Sequence, residues 1–164
     1  MNGPLATASA APSNGAAREP ASPDQIGRVS VVGGAQATVE LHPRAVTGEQ
    51  PTVGKFMGMI SGKGVIVGLI TEVAEEPLGG SGLSQYYRNV ARLDLIGEIQ
   101  LGDGGAKRFQ RGVTEYPNIG DGAKLLTDAE LSMIYGVADD DHAHIGDLQQ
   151  NSDIAVQIDI DHLV

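Results

Sequence analysis

The sequence has no cysteine and no tryptophan, and aromatic residues make up only 4% of its 164 positions. Without cysteine there is no disulfide framework, no thiolate zinc site and no thiol nucleophile. Basic residues are scarce too, 11 against 21 acidic ones, which leaves a net charge of −10. A surface this acidic repels phosphate backbones and argues against a chain that grips DNA or RNA by itself. Lys107, Arg108 and Arg111 form the only tight basic cluster. No apolar run approaches the roughly 18 residues that suggest a membrane span. The N-terminus lacks the basic start and apolar centre of a secretory signal, so a cytoplasmic protein is expected.

Glycine is what the chain has in excess. Its 23 glycines are about twice the usual share. They fall between apolar runs, as tight turns and close backbone approaches require. Residues 1–24 are rich in Ala, Ser and Pro and short of large apolar side chains. They cannot bury enough surface to offset ordering entropy, and a disordered tail is expected there. Residues 25–164 then form one domain, long enough to bury a real core.

From Ile26 the texture changes to alternation. The runs 26–32 and 35–41 flank Gly33-Gly34, a connection suited to a primed hairpin turn. Ala35, Ala37, Val39 and Leu41 share one face, the period of a half-buried strand. Strands are also expected over 53–61 and 65–73, joined by Gly62-Lys63-Gly64. In the second of these Val65, Val67, Leu69 and Val73 share a face, and Ile66 and Ile70 make the other face apolar as well. Such a strand is central, or packs against something outside the barrel.

A flexible connection is expected over 75–85. In the strand over 90–99, Ala91, Leu93, Leu95 and Ile99 should point inward and Arg92, Asp94 and Glu98 outward. A short strand over 107–113, a turn at Tyr116–Asp121 and a strand over 123–127 follow. Asp128 is the expected cap of a short helix, Ala129–Tyr135, presenting Leu131, Ile134 and Tyr135 to the core. An acidic loop covers 138–144. The last strand, 154–160, aligns Ile154, Val156, Ile158 and Ile160. Many short strands and one helix near 128–135 predict a mainly β fold, a small antiparallel β-barrel.

No motif in the chain assigns catalytic, cofactor or metal residues. A Walker A loop needs Gly, four residues, then Gly-Lys-Ser/Thr. Gly54-Lys55 is followed by Phe56 with Glu49 at the early glycine position, and Gly62-Lys63 is followed by Gly64 with Met57 there. Both fail and read as turn chemistry. The loop Asp139–His144 holds carboxylates and imidazoles without the spacing of a calcium loop or a third ligand for catalytic zinc. It reads as a solvated loop. No serine lies in a nucleophile motif. Asp159 and Asp161 share an outward strand face and read as solvated surface. Tyr86-Tyr87-Arg88 has the rings for base stacking but no basic neighbours, and reads as a strand start.

The order of several segments resembles a known family. Ile26-Gly27-Arg28-Val29, the glycine before Val65–Val73, ARLDLIG at Ala91–Gly97, YPNIGD at Tyr116–Asp121, and Ile145-Gly146-Asp147-Leu148 before Ile154–Val164 resemble the N-terminal barrel (HAS-barrel) of HerA-like ATPases. The resemblance spans about residues 26–164. It implies the barrel type of the N-terminal domains of rotary ATP-synthase catalytic subunits. It also implies a hexameric DNA translocase or helicase whose RecA-like motor follows a segment like Ile158–Val164. ATP and magnesium would bind that motor. The family's ATPase residues match no position here, so none is carried over, and no enzymatic activity is expected of this chain. The implied partners are further copies of the chain, an effector such as a NurA-type nuclease docked on the barrel, and DNA through the motor alone. The loop Pro77–Leu83 has no place in the family pattern. The competing readings are a free-standing barrel adaptor without a motor, and a small ligand- or metal-binding barrel using Asp139–His144.

Overall fold

A computed structural model describes residues 24–42, 50–62, 64–78, 86–101, 106–135, 142–148 and 150–159. All but the last residue of the tail expected over 1–24 lies outside them. The described chain is mainly β. Its elements run β1 (Gly27–Gly33), β2 (Gln36–Leu41), β3 (Phe56–Ser61), β4 (Gly64–Pro77), β5 (Tyr87–Leu101), β6 (Lys107–Arg111), β7 (Gly122–Leu125), α1 (Asp128–Tyr135), β8 (His142–Leu148) and β9 (Asn151–Asp159).

Six strands hydrogen-bond in the order β2-β1-β7-β3-β4-β5, and β5 returns to β2, closing an antiparallel barrel. The expected fold class is borne out. Strand β5 is long enough to serve two neighbours. Its first half pairs with β2 from Val90 to Asp94, and its second half pairs with β6 from Gly97 to Leu101. The β1–β2 turn is Gly34-Ala35, one residue later than the glycine pair suggested, with Gly33 opposite Gln36. Gly34 sits at φ +58°, where the first turn residue needs the freedom of glycine.

Three bulges bend the barrel. The register shifts leave Ser30, Thr71 and Ile96 as the extra residues in β1, β4 and β5. Each bulge adds bend and twist, which a six-stranded sheet needs in order to close. Two of them also make a cross-strand bond. Ser30 Oγ donates to the Thr38 carbonyl at 3.1 Å, and Thr71 Oγ1 donates to the Arg92 carbonyl at 3.2 Å.

All six barrel strands supply the interior: Val29, Ala37, Val39, Met57, Met59, Ile66, Ile70, Ala91, Leu93 and Ala123. A second core lies on the outside. There α1 and the β8–β9 hairpin cover β3, β4 and β5, burying Phe56, Val67, Ile99, Leu126, Leu131, Leu148 and Ile154. The two-faced β4 is thus explained. Ile66 and Ile70 fill the barrel while Val65, Val67 and Leu69 meet the outer layer. The side-chain oxygen of Gln150 accepts the Phe56 amide at 2.7 Å and ties the hairpin to the start of β3.

Several expectations need correction. Alternation put Ile99 inward and Glu98 outward, but the bulge at Ile96 reverses the faces after Leu95. Ile99 joins the outer core and Glu98 becomes buried. The helix cap is Thr127, not Asp128, as its bonds below establish. The last strand, β9, is no barrel strand. It pairs with β8 in a separate two-stranded sheet. The loop expected over 138–144 is already strand from His142 onward. Residues 75–77, read as flexible connection, belong to β4, and residues 79–85 of that segment lie outside the described residues.

Candidate functional site

The Gly54-Lys55 pair serves a turn. Gly54 has φ +90°, and its amide donates to the Ile70 carbonyl at 2.9 Å. The Lys55 amide donates to the Thr52 carbonyl at 3.1 Å. A phosphate loop needs free amides pointing at its ligand, and both of these are used within the fold. At the second pair, Ser61 faces Gly64 across the β3–β4 hairpin and Gly62 is a turn residue; Lys63 lies outside the described residues.

Of the Asp139–His144 loop, residues 139–141 lie outside the described residues, and His142–His144 contribute backbone to β8. Asp161 also lies outside them, and Asp159 contributes backbone to β9. Among the described residues no three His, Asp or Glu side chains converge as a metal-binding group. Tyr87 opens β5, so Tyr86-Tyr87-Arg88 is a strand start. The Arg88 guanidinium bonds Glu76 at 3.1 Å and lies 3.8 Å from Glu40.

That contact belongs to a ladder of alternating charges. Glu72, Arg92, Glu76, Arg88, Glu40 and Arg28 link β4, β5, β2 and β1 across the outer surface. These strands therefore spend their cations on their own carboxylates. The basic residues of β6 make a different surface. Lys107, Arg108 and Arg111 are exposed, and β6 ends the sheet order with β5 as its one strand partner among the described residues. A groove of about 400 Å³ runs along it, lined by Gln100, Arg108, Phe109, Gln110 and Arg111.

Among the described residues two carboxylates are buried to 4% exposure, and alternation alone finds neither. The first, Glu130, sits in the opening turn of α1. Thr127 Oγ1 accepts the Glu130 amide at 3.3 Å, and Glu130 Oε2 accepts the Thr127 amide at 2.9 Å. This reciprocal pair is a capping box, legible in the sequence as Thr127-Asp128-Ala129-Glu130. Lys124 Nζ then reaches both carboxylate oxygens at 2.8 Å. Burial is the largest single influence on the Glu130 carboxyl and disfavours its charge. The hydrogen bonds from Lys124 and Thr127 and the positive charge of Lys124 together outweigh it and hold the pKa below the ordinary value.

A folded-state pKa below the unfolded one stabilises the fold above the unfolded value, near about 4.3. That contribution is lost as pH falls further, through the depressed folded value. Urea-unfolding midpoints should therefore drop on acidification below about pH 4, and Glu130→Gln should flatten the part of the drop that Glu130 supplies.

The second, Glu98, lines a cavity of about 270 Å³ with Ser61, Gly64, Val65, Ile66, Gln100 and Glu115. Gln100 Nε2 donates to its Oε1 at 2.7 Å, and Thr114 Oγ1 donates to the same oxygen at 2.6 Å. Its sequence signal was the neighbouring Gly97, since glycine inside a strand often marks a bulge.

Among the described residues no helix is long and apolar enough to cross a membrane. Neither the family models nor the curated proteins contain a match to this chain.

Proposed function

We propose that this chain is the assembly and partner-docking barrel of a HerA-like, ATP-driven DNA translocase acting in the cytoplasm. The observation that carries the reading is the closed six-stranded antiparallel barrel, with the quoted segments falling in order on its elements. Ile26–Val29 leads into β1, Val65–Val73 is in β4, Ala91–Gly97 is in β5, and Ile145–Leu148 is in β8. The Tyr116–Asp121 turn is stitched to β1, since Val29 donates to the Asp121 carbonyl and Gly120 to the Val29 carbonyl, both at 2.8 Å.

A closed barrel suits a docking role because closure removes most strand edges and leaves a rigid body. The open edge of β6, with its three cations, is the natural place for an acidic extended segment of an effector to add as a strand. The acidic remainder of the surface keeps DNA for the motor, where ATP and magnesium would bind.

The experiment is light scattering and ATP turnover on the product of the whole reading frame, beside residues 1–164 alone. The whole product should form a ring of six and hydrolyse ATP faster with DNA, whereas residues 1–164 should show weak self-association and no turnover. A monomeric whole product without ATP turnover would defeat the proposal.

A further inference from the structure

We propose that the cavity beside Glu98 binds an organic cation of guanidinium type. The comparison with Glu130 carries the inference. Both carboxylates are 4% exposed. Glu130 has a resident lysine on both oxygens. Glu98 has only two neutral donors, both on Oε1, and no described residue donates to Oε2. None of the described residues lining its cavity is basic, and a second carboxylate, Glu115, shares the lining. Oε2 is not one of the buried side-chain atoms left without a partner, so it opens onto the cavity, where a cation can reach it. The fold supplies a cation at Glu130 and leaves space at Glu98.

The lining fits the ligand class. Glu98 and Glu115 offer acceptors to a forked planar donor, which matches carboxylates better than a point charge does. Ser61 and the Gln100 side-chain carbonyl can take its remaining N–H groups. Val65 and Ile66 give an apolar wall for a short alkyl stem. A bare divalent ion fits less well, because among the described residues no third His, Asp or Glu side chain joins Glu98 and Glu115 to hold one. Two sources share the chemistry: a free alkylguanidinium, and an arginine side chain presented by another protein.

The test uses the whole 164-residue chain, labelled with ¹⁵N. It is titrated with ethylguanidinium chloride for the free source and with the capped peptide Gly-Arg-Gly for the side-chain source. Tetramethylammonium chloride at matched ionic strength is the control, since it carries charge but no N–H donors. Saturable amide shifts are expected at Gly64, Val65, Ile66 and Gln100 with at least one of the first two probes. The probe that binds more tightly identifies the source. Glu98→Gln should weaken that binding about tenfold or more. If Glu98→Gln does not fold, Glu115→Gln at its exposed position replaces it, with about threefold weakening expected. The proposal is overturned by shifts that do not saturate, by equal shifts with tetramethylammonium, or by binding that the folded variant leaves unchanged.

Discussion

Glu130→Ala is expected to lower the unfolding free energy by about 3 kcal/mol, read from urea denaturation at neutral pH. The substitution strands Lys124, whose side chain is 19% exposed, and removes the acceptor of the Thr127 amide. Breaking one side of a buried pair costs more than deleting both, because the remaining charge stays desolvated. The double substitution Lys124→Met with Glu130→Leu should therefore fall well short of the two single losses added together. The effect reaches the outer core as well. Leu131, the next residue of α1, is fully buried in the outer core, and a frayed first turn loosens its seat. A loss under about 0.5 kcal/mol would mean that the capping box and its lysine do not hold the helix.

Gly97→Ala should be about as damaging, by a different route. A methyl group there would run into the Gln110 carbonyl oxygen and the edge of the Phe109 ring. The oxygen is main chain of the paired strand and cannot swing aside, so β6 must move off β5. Phe109 packs against the outer core from β6 and would go with it. Forcing atoms into a filled site costs about 1–3 kcal/mol, and the upper end applies where backbone is displaced. Gly33→Ala is the matched control, since a methyl group there meets nothing within 4 Å. Amide exchange gives the signature: Lys107–Arg111 should exchange faster in Gly97→Ala while β1 and β2 keep their protection. Equal stability in the two variants would contradict the close β5–β6 approach.

The same glycine shows where sequence reading succeeds and where it stops. Strict alternation located the interior face of β2 and the apolar face of α1, because side-chain direction there follows from local period alone. In β4 it showed two apolar faces but not which one fills the barrel, and that face is Ile66 and Ile70. Leu131, Ile134 and Tyr135 do pack as that period requires. In β5 the period holds to Leu95 and fails after it, since one bulged residue flips every side chain that follows. That flip buries Glu98, so the cavity could not be read from alternation. Glu130 was legible through its capping box, but its lysine was not. Lys124 lies in β7, and only the turn from strand to helix brings the two together. The β8–β9 hairpin was hidden for a related reason. A strand on the outer layer carries the same alternation as one in the barrel, and pairing partners leave no mark on local period.

The proposed function depends on an engine that belongs with this barrel. Its most direct test is the sequence of the gene downstream of the codon for Val164. The account predicts that the frame continues and soon encodes a glycine-rich loop ending Gly-Lys-Ser or Gly-Lys-Thr, the start of a RecA-like motor. A native stop codon directly after Val164 would contradict it.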